Sequence, residues 1–163
     1  MNRFLFAVVL LLGFVSSPAL AQTKVGDWTI EKRSQDQHCN LSRGYKDAAD
    51  ENRDYAIVLS YSNDAIVMVL IYDGWEWDKP GEILSAALGT DNADIMKKSK
   101  WEVMDKTTVR GVFKFDQSIL DEMSKAKRLT VDFEDDDDDS IEVQIPRAGE
   151  ALGALKFCEE NKK

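Results

Sequence analysis

YAIVLSYSNDAIVMVLIY, residues 55–72, carries the strongest structural signal in the chain. Its two halves, Tyr55–Tyr61 and Ala65–Tyr72, are rich in β-branched and aromatic residues, which fit a pleated, half-buried surface better than a helix. Between them Ser62, Asn63 and Asp64 supply turn chemistry, short polar side chains that bond their own backbone. The pattern predicts an antiparallel hairpin. The second half, AIVMVLIY, is apolar at every position rather than every other one, so it predicts a central strand covered on both faces.

The same signals repeat on either side. Upstream, Trp28 and Ile30 alternate with Thr29 and Glu31, predicting a first strand from about Gly26-Asp27, and Cys39 and Leu41 alternate likewise. Lys46 to Asp54 is polar and aperiodic and reads as a solvated loop or short turn of helix. Downstream, Lys79-Pro80-Gly81 is a turn, Glu82 to Gly89 a short strand, and Ala93 to Lys100 either helix or loop. Trp101 and Val103, then Val109, Gly111, Phe113 and Phe115, predict a second hairpin. Leu129, Val131 and Phe133 with Ile141, Val143 and Ile145 predict a third, stopped by Pro146. Two helices fall late. Asp116 is placed to cap one carrying Ile119, Leu120 and Met123 and ending near Ala126. Ala148, Ala151, Leu152, Leu155 and Cys158 form one apolar stripe of the other. The expected fold is mainly β (α+β), an antiparallel sandwich or half-open barrel of seven to nine strands with one internal and one C-terminal helix. Dispersed alternating strands argue against a parallel α/β sheet.

The start of the chain predicts export. Arg3 precedes an unbroken apolar run from Phe4 to Val15, Ser16-Ser17-Pro18 breaks it, and Ala19-Leu20-Ala21 has the small-x-small cleavage pattern of a signal peptide. The run is too short for the roughly 30 Å hydrocarbon layer. Residues 1–21 are thus expected to be removed, leaving 22–163 as one β-rich domain, periplasmic, or secreted if the host has a single membrane. Its longest apolar stretch is Ala65–Tyr72, so no membrane insertion is expected after cleavage. Formal net charge is −9, and loss of Arg3 makes it one unit more negative. That field repels nucleic acid and anionic membrane surfaces and attracts cations or a basic protein or peptide. The two cysteines, Cys39 and Cys158, predict one disulfide in an oxidising compartment, the alternative being buried or metal-bound thiols.

Gly26-Asp27-Trp28-Thr29, the cysteine at Cys39 and A-L-x-x-L-x-x-C at Ala151–Cys158 resemble small exported alphaproteobacterial proteins of the invasion-associated locus B group and its uncharacterised relatives. The resemblance covers both ends of the mature chain. It implies a periplasmic β-rich domain and carries no catalytic residues with it.

Chemistry-bearing residues are few. His38, the single histidine, sits beside Cys39 without a G-x-S-x-G or H-E-x-x-H context, so it reads as an exposed neighbour of the disulfide rather than a catalytic base. Glu134, Asp135, Asp136, Asp137, Asp138 and Asp139 form a run whose mutual repulsion a cation could relieve, yet it lacks the calcium-loop spacing and glycine; a solvated hairpin tip is the competing reading. Trp75 and Trp77, two apart, could form a partner-binding platform, or one could cap the core while the other lies on its rim. No cofactor and no catalytic residues are expected. The leading expectation is a non-catalytic protein that binds another macromolecule, ahead of a calcium-type cation binder and a carboxylate-based hydrolase. Material recovered after export should have the intact mass of a chain beginning at Gln22; a mass retaining residues 1–21 contradicts the leader.

Overall fold

The computed structural model describes residues 22–32, 36–134 and 140–162, so the leader and Asp135–Asp139 lie outside the described residues. The hairpin at its centre joins β4 (Arg53–Tyr61) to β5 (Ala65–Tyr72), antiparallel with Leu59 opposite Met68, and Ser62 N–H closes the turn on the Ala65 carbonyl at 2.8 Å. Before them come β1 (Thr23–Val25), β2 (Trp28–Glu31) and β3 (Asn40–Asp47). After them come β6 (Ile83–Thr90), β7 (Asp94–Asp105), β8 (Thr108–Lys114), α1 (Gln117–Lys125), β9 (Arg128–Phe133), β10 (Ile141–Gln144) and α2 (Ala148–Asn161). All ten strands form one antiparallel sheet in the order β1-β2-β3-β4-β5-β8-β7-β6-β9-β10, with β5 in the middle.

One sheet, rather than the two of a sandwich, buries its apolar face by curling on itself. Inward residues from Ile30 on β2 to Val143 on β10 meet in one core with α1 and α2. β10 does not pair back onto β3, and side chains bridge the two: Tyr45 Oη accepts Gln144 N–H at 2.8 Å, and Arg43 Nη1 donates to the Gln144 carbonyl at 2.8 Å. A half-open barrel results. Trp28 Nε1 donates to the Pro146 carbonyl at 2.7 Å, fixing the entry to α2 over the gap.

Three expectations need correction. β5 is covered on one face only: Ile66, Met68 and Leu70 are buried, while Val67, Val69 and Ile71 are half-buried on the outer face, shielded by neighbours such as Val58 across the ladder. The stretch Ala93–Lys100 is not helix: from Asp94 on it is the first half of β7. Its lysines point outward, and its inward Ser99 is masked as a polar residue although it is buried, donating to the Ala86 carbonyl at 2.7 Å and accepting from Trp101 Nε1 at 2.8 Å. Pairing with β6 overrides the weak local propensity. Gly26-Asp27 is the turn between β1 and β2 rather than the start of the first strand, with Gly26 at φ +59°. With β1 the described residues carry ten strands.

The helices are as read. Asp116 caps α1 by accepting Ser118 N–H at 2.9 Å, Ile119, Leu120 and Met123 are buried, and Ala126 ends it. Ala148, Ala151, Leu152 and Leu155 bury the stripe of α2, and Cys158 is disulfide-bonded to Cys39, 119 residues earlier. Closing so long a loop stabilises the fold by about 4–5 kcal/mol in the chain-entropy picture. Replacing both cysteines by serine should therefore lower unfolding free energy by about 2–5 kcal/mol in chemical denaturation; native protein should not be alkylated without reductant, and ready labelling of both positions would remove the staple from the account.

Candidate functional site

A curled sheet has two open ends, and the chain stops them differently. Because β6 lies three places from β5, the link at residues 73–82 must cross one end of the barrel. It is pinned there by Trp77 N–H to the Lys106 carbonyl (3.0 Å) and Gly81 N–H to the Val103 carbonyl (2.7 Å). Trp75 turns inward and is 1 % exposed; Trp77 is half-buried beside it, and both rings pack on Phe133 at 6.0 and 5.5 Å. A stack of Tyr45, Tyr55 and Tyr72 continues the plug, with the Tyr55 and Tyr72 hydroxyls donating to Asp50. Trp75 therefore serves the core and offers no exposed platform. Glu134 follows Phe133 at this same end, its carboxylate 3.3 Å from Lys98 Nζ, and Asp135–Asp139 lie outside the described residues.

The opposite end holds a groove of about 840 Å³ between α1, α2 and the β4–β5 turn. Sites for small ligands commonly span roughly 300–1,000 Å³. Its apolar floor is Tyr61, Phe115, Leu120 and Leu152, with the Tyr61 and Phe115 rings 5.8 Å apart and tilted. Phe115 N–H donates to the Asp64 carbonyl at 2.9 Å, which ties the hairpin turn to the start of α1. Asp64 and Asp121 line one side, and neither makes a salt bridge among the described residues; Asp121 accepts from Gln117 Nε2 at 2.9 Å and feels the charge of Lys125 one turn on. Lys156, Glu159 and Glu160 line the other, the Lys156–Glu160 pair being loose at 3.9 Å.

His38 stands at the end of the groove. Its Nδ1 is 2.7 Å from Glu159 Oε1 and 2.9 Å from Lys162 Nζ, while Lys162 also contacts Glu159 Oε1 and Cys39 N–H donates to Glu159 Oε2 at 3.0 Å. One ring nitrogen carries either a proton or a lone pair, so Nδ1 serves Glu159 as a donor or Lys162 as an acceptor, one at a time. Burial pushes the Glu159 carboxyl up, and the hydrogen bonds from Lys162, Cys39 N–H and His38 outweigh it, holding the carboxyl below its ordinary value. Tyr61 is pushed up by burial and then by the charges of Glu159 and Glu160, which marks the floor of the groove as electronegative. Cys39, with its sulfur committed to the disulfide, is no nucleophile for His38. The cluster binds the last turn of α2 to the segment that leads into β3, and its chemistry is positional.

No protein-family model, no curated protein and no solved structure matches this chain. Of the residues singled out in the sequence, the structure gathers His38, Cys39 and Cys158 at the groove end and Trp75, Trp77 and Glu134 at the plugged end. Tyr61, Asp64, Phe115, Asp121 and Gly153 were passed over. The signal available for them was the pair of glycines four apart in α2, an unusual expenditure in a helix.

Glu159 has a lowered folded-state pKa, so its contribution is fully present above the ordinary glutamate range of about 4–4.5 and is lost as pH falls through the folded value. Glu159→Gln should reduce stability by about 1–2 kcal/mol at pH 7, and the gap to the unmodified protein should close on acidification to about pH 3. Melting curves across that range check it; a gap independent of pH would show that the charge of Glu159 is not what matters.

Proposed function

We propose that the chain is an exported, non-catalytic binding protein of the periplasm whose groove between α1, α2 and the β4–β5 turn takes a basic segment of another macromolecule. The observation that carries this reading is the pairing, in one groove, of an aromatic floor with two carboxylates that make no salt bridge among the described residues, Asp64 and Asp121. A lysine or arginine side chain laid on Tyr61 and Phe115 would gain cation–π attraction from the rings and ion pairing from the rim. The overall charge of −9 steers such a partner in from a distance. The leader at residues 1–21, the disulfide and the resemblance of the chain ends to the exported invasion-associated locus B group support the compartment. No helix among the described residues is long and apolar enough to cross a membrane.

Any acidic protein attracts polycations, so the test must place the binding. The probe is an eight-residue peptide alternating arginine and glycine, titrated by calorimetry at physiological salt. The double change Asp64→Asn/Asp121→Asn should weaken its binding about tenfold, whereas Glu76→Gln/Asp78→Asn, an equal loss of charge on the exposed link across the other end, should change it less than twofold. Equal losses in the two variants would reduce the attraction to net charge and end the groove reading, as would tight binding of a matching Asp-Gly peptide.

A further inference from the structure

α2 carries two glycines facing the groove, and the protein's own packing accounts for only one of them. A Cβ on Gly149 would lie 2.8 Å from the Ser124 carbonyl oxygen of α1, so glycine there lets the two helices meet. One turn on, a Cβ on Gly153 would meet nothing within 4 Å. By that turn α1 has left the flank of α2 and the groove has opened, with Gly153 exposed on its wall between Gly149 and Lys156. Its backbone is ordinary helix with no positive φ. Glycine is the least favourable residue short of proline in a helix interior, because it loses most backbone freedom on folding. At Gly153 neither close packing nor backbone conformation requires it.

We infer that the main chain of the bound basic segment runs against α2 at Gly153, closer to the helix than any side chain would permit, while its cationic side chain reaches the Tyr61–Phe115 floor between Asp64 and Asp121. The inference rests on the groove reading above and adds to it the direction of the ligand and the residue that admits its backbone. A bare helix wall opposite an apolar floor leaves room for an extended segment, whose alternate side chains point into and out of the groove. Gly153 thus fixes what passes over the wall, and the two carboxylates fix what enters.

Two probes separate these roles: the Arg-Gly peptide, which has a main chain to lay on α2, and arginine amide, which supplies the cation with almost none. Binding to each is followed by NMR titration of the native, disulfide-bonded protein and of two variants. Gly153→Ala should raise Tm by a few degrees, since alanine is the better helix former and its methyl group enters open space, yet weaken the peptide several-fold. Gly153→Leu should weaken the peptide more than tenfold and leave arginine amide within twofold. If the unmodified protein binds the peptide and both variants bind it equally well, the Gly153 contact is wrong while the groove reading stands. If Gly153→Leu weakens both probes alike, the side chain merely blocks the pocket and the proposed path of the main chain is overturned. If the unmodified protein binds neither probe, the groove reading itself fails. Gly153→Ala keeps the test decisive should the leucine variant not fold.

Discussion

With only two short helices to cover it, the inner face of this ten-stranded sheet is kept dry by curling, and a curled sheet that does not zip has a seam and two ends to close. Among the described residues, the helices and the link at 73–82 answer that constraint. The seam between β3 and β10 is held by Arg43 and Tyr45 reaching to both backbone groups of Gln144. Arg43 is only 7 % exposed; its guanidinium lies 4.2 Å from the Tyr45 ring centroid and donates through Nη1 to a carbonyl, which offsets part of the cost of burial while its Nε stays without a hydrogen-bond partner among the described residues. Side-chain closure of this kind spares the sheet a full barrel's demand that strand number, tilt and stagger agree. It also leaves room for α2 to lie across the gap.

The two ends receive unequal material, and that inequality is what leaves a cleft. At one end the crossing link delivers Trp75 and Trp77 onto Phe133 beside the tyrosine stack, and large rings fill the opening. At the other end two helices form the roof, touching at Gly149 and Ser124 and parting beyond. Cylinders that cross leave a wedge between them. The β4–β5 turn stands at its mouth, tied to the start of α1 through Asp64 and Phe115. A cleft in that position is a by-product of roofing a barrel with helices; what marks it out is its lining, aromatic below and carboxylate-rimmed above.

Most of the strands, both helices and the disulfide were legible because each rests on a local pattern: alternation in Leu129–Phe133, a cap at Asp116, a heptad-like stripe ending in Cys158. Where the reading failed, the deciding force was tertiary. Nothing in Asp94-Ile-Met-Lys-Lys-Ser99 favours a strand by itself, and its one buried polar position is explained only by the Ala86 carbonyl and the Trp101 indole that meet it across space. The full apolarity of β5 suggested cover on both faces, but a β-branched residue in a central strand is half-shielded by its neighbours even with solvent above it. The groove was illegible for a related reason. Tyr61, Asp64, Phe115, Asp121 and Gly153 come from four segments that no periodicity connects, and only the order β5-β8 with α1 following β8 brings them to one place.

The staple and the groove are one unit. Glu159 accepts from Cys39 N–H on one oxygen and meets Lys162 and His38 on the other, one residue from the disulfide, so the group that bonds the last turn of α2 to the sheet also forms the groove's wall. A covalent bond and a part-buried carboxylate at the same helix end make that wall rigid, and rigidity lowers the ordering cost of binding. Flexible placement would suffice if α2 only roofed the core, since Ala151, Leu152 and Leu155 already bury its stripe upstream. The extra fixation falls past the buried stripe, at the turn where the helix borders solvent and the groove. It holds the wall of Lys156, Glu159 and Glu160 opposite Asp64 and Asp121 at a set separation, the condition that the proposed grip on a cation-bearing segment requires.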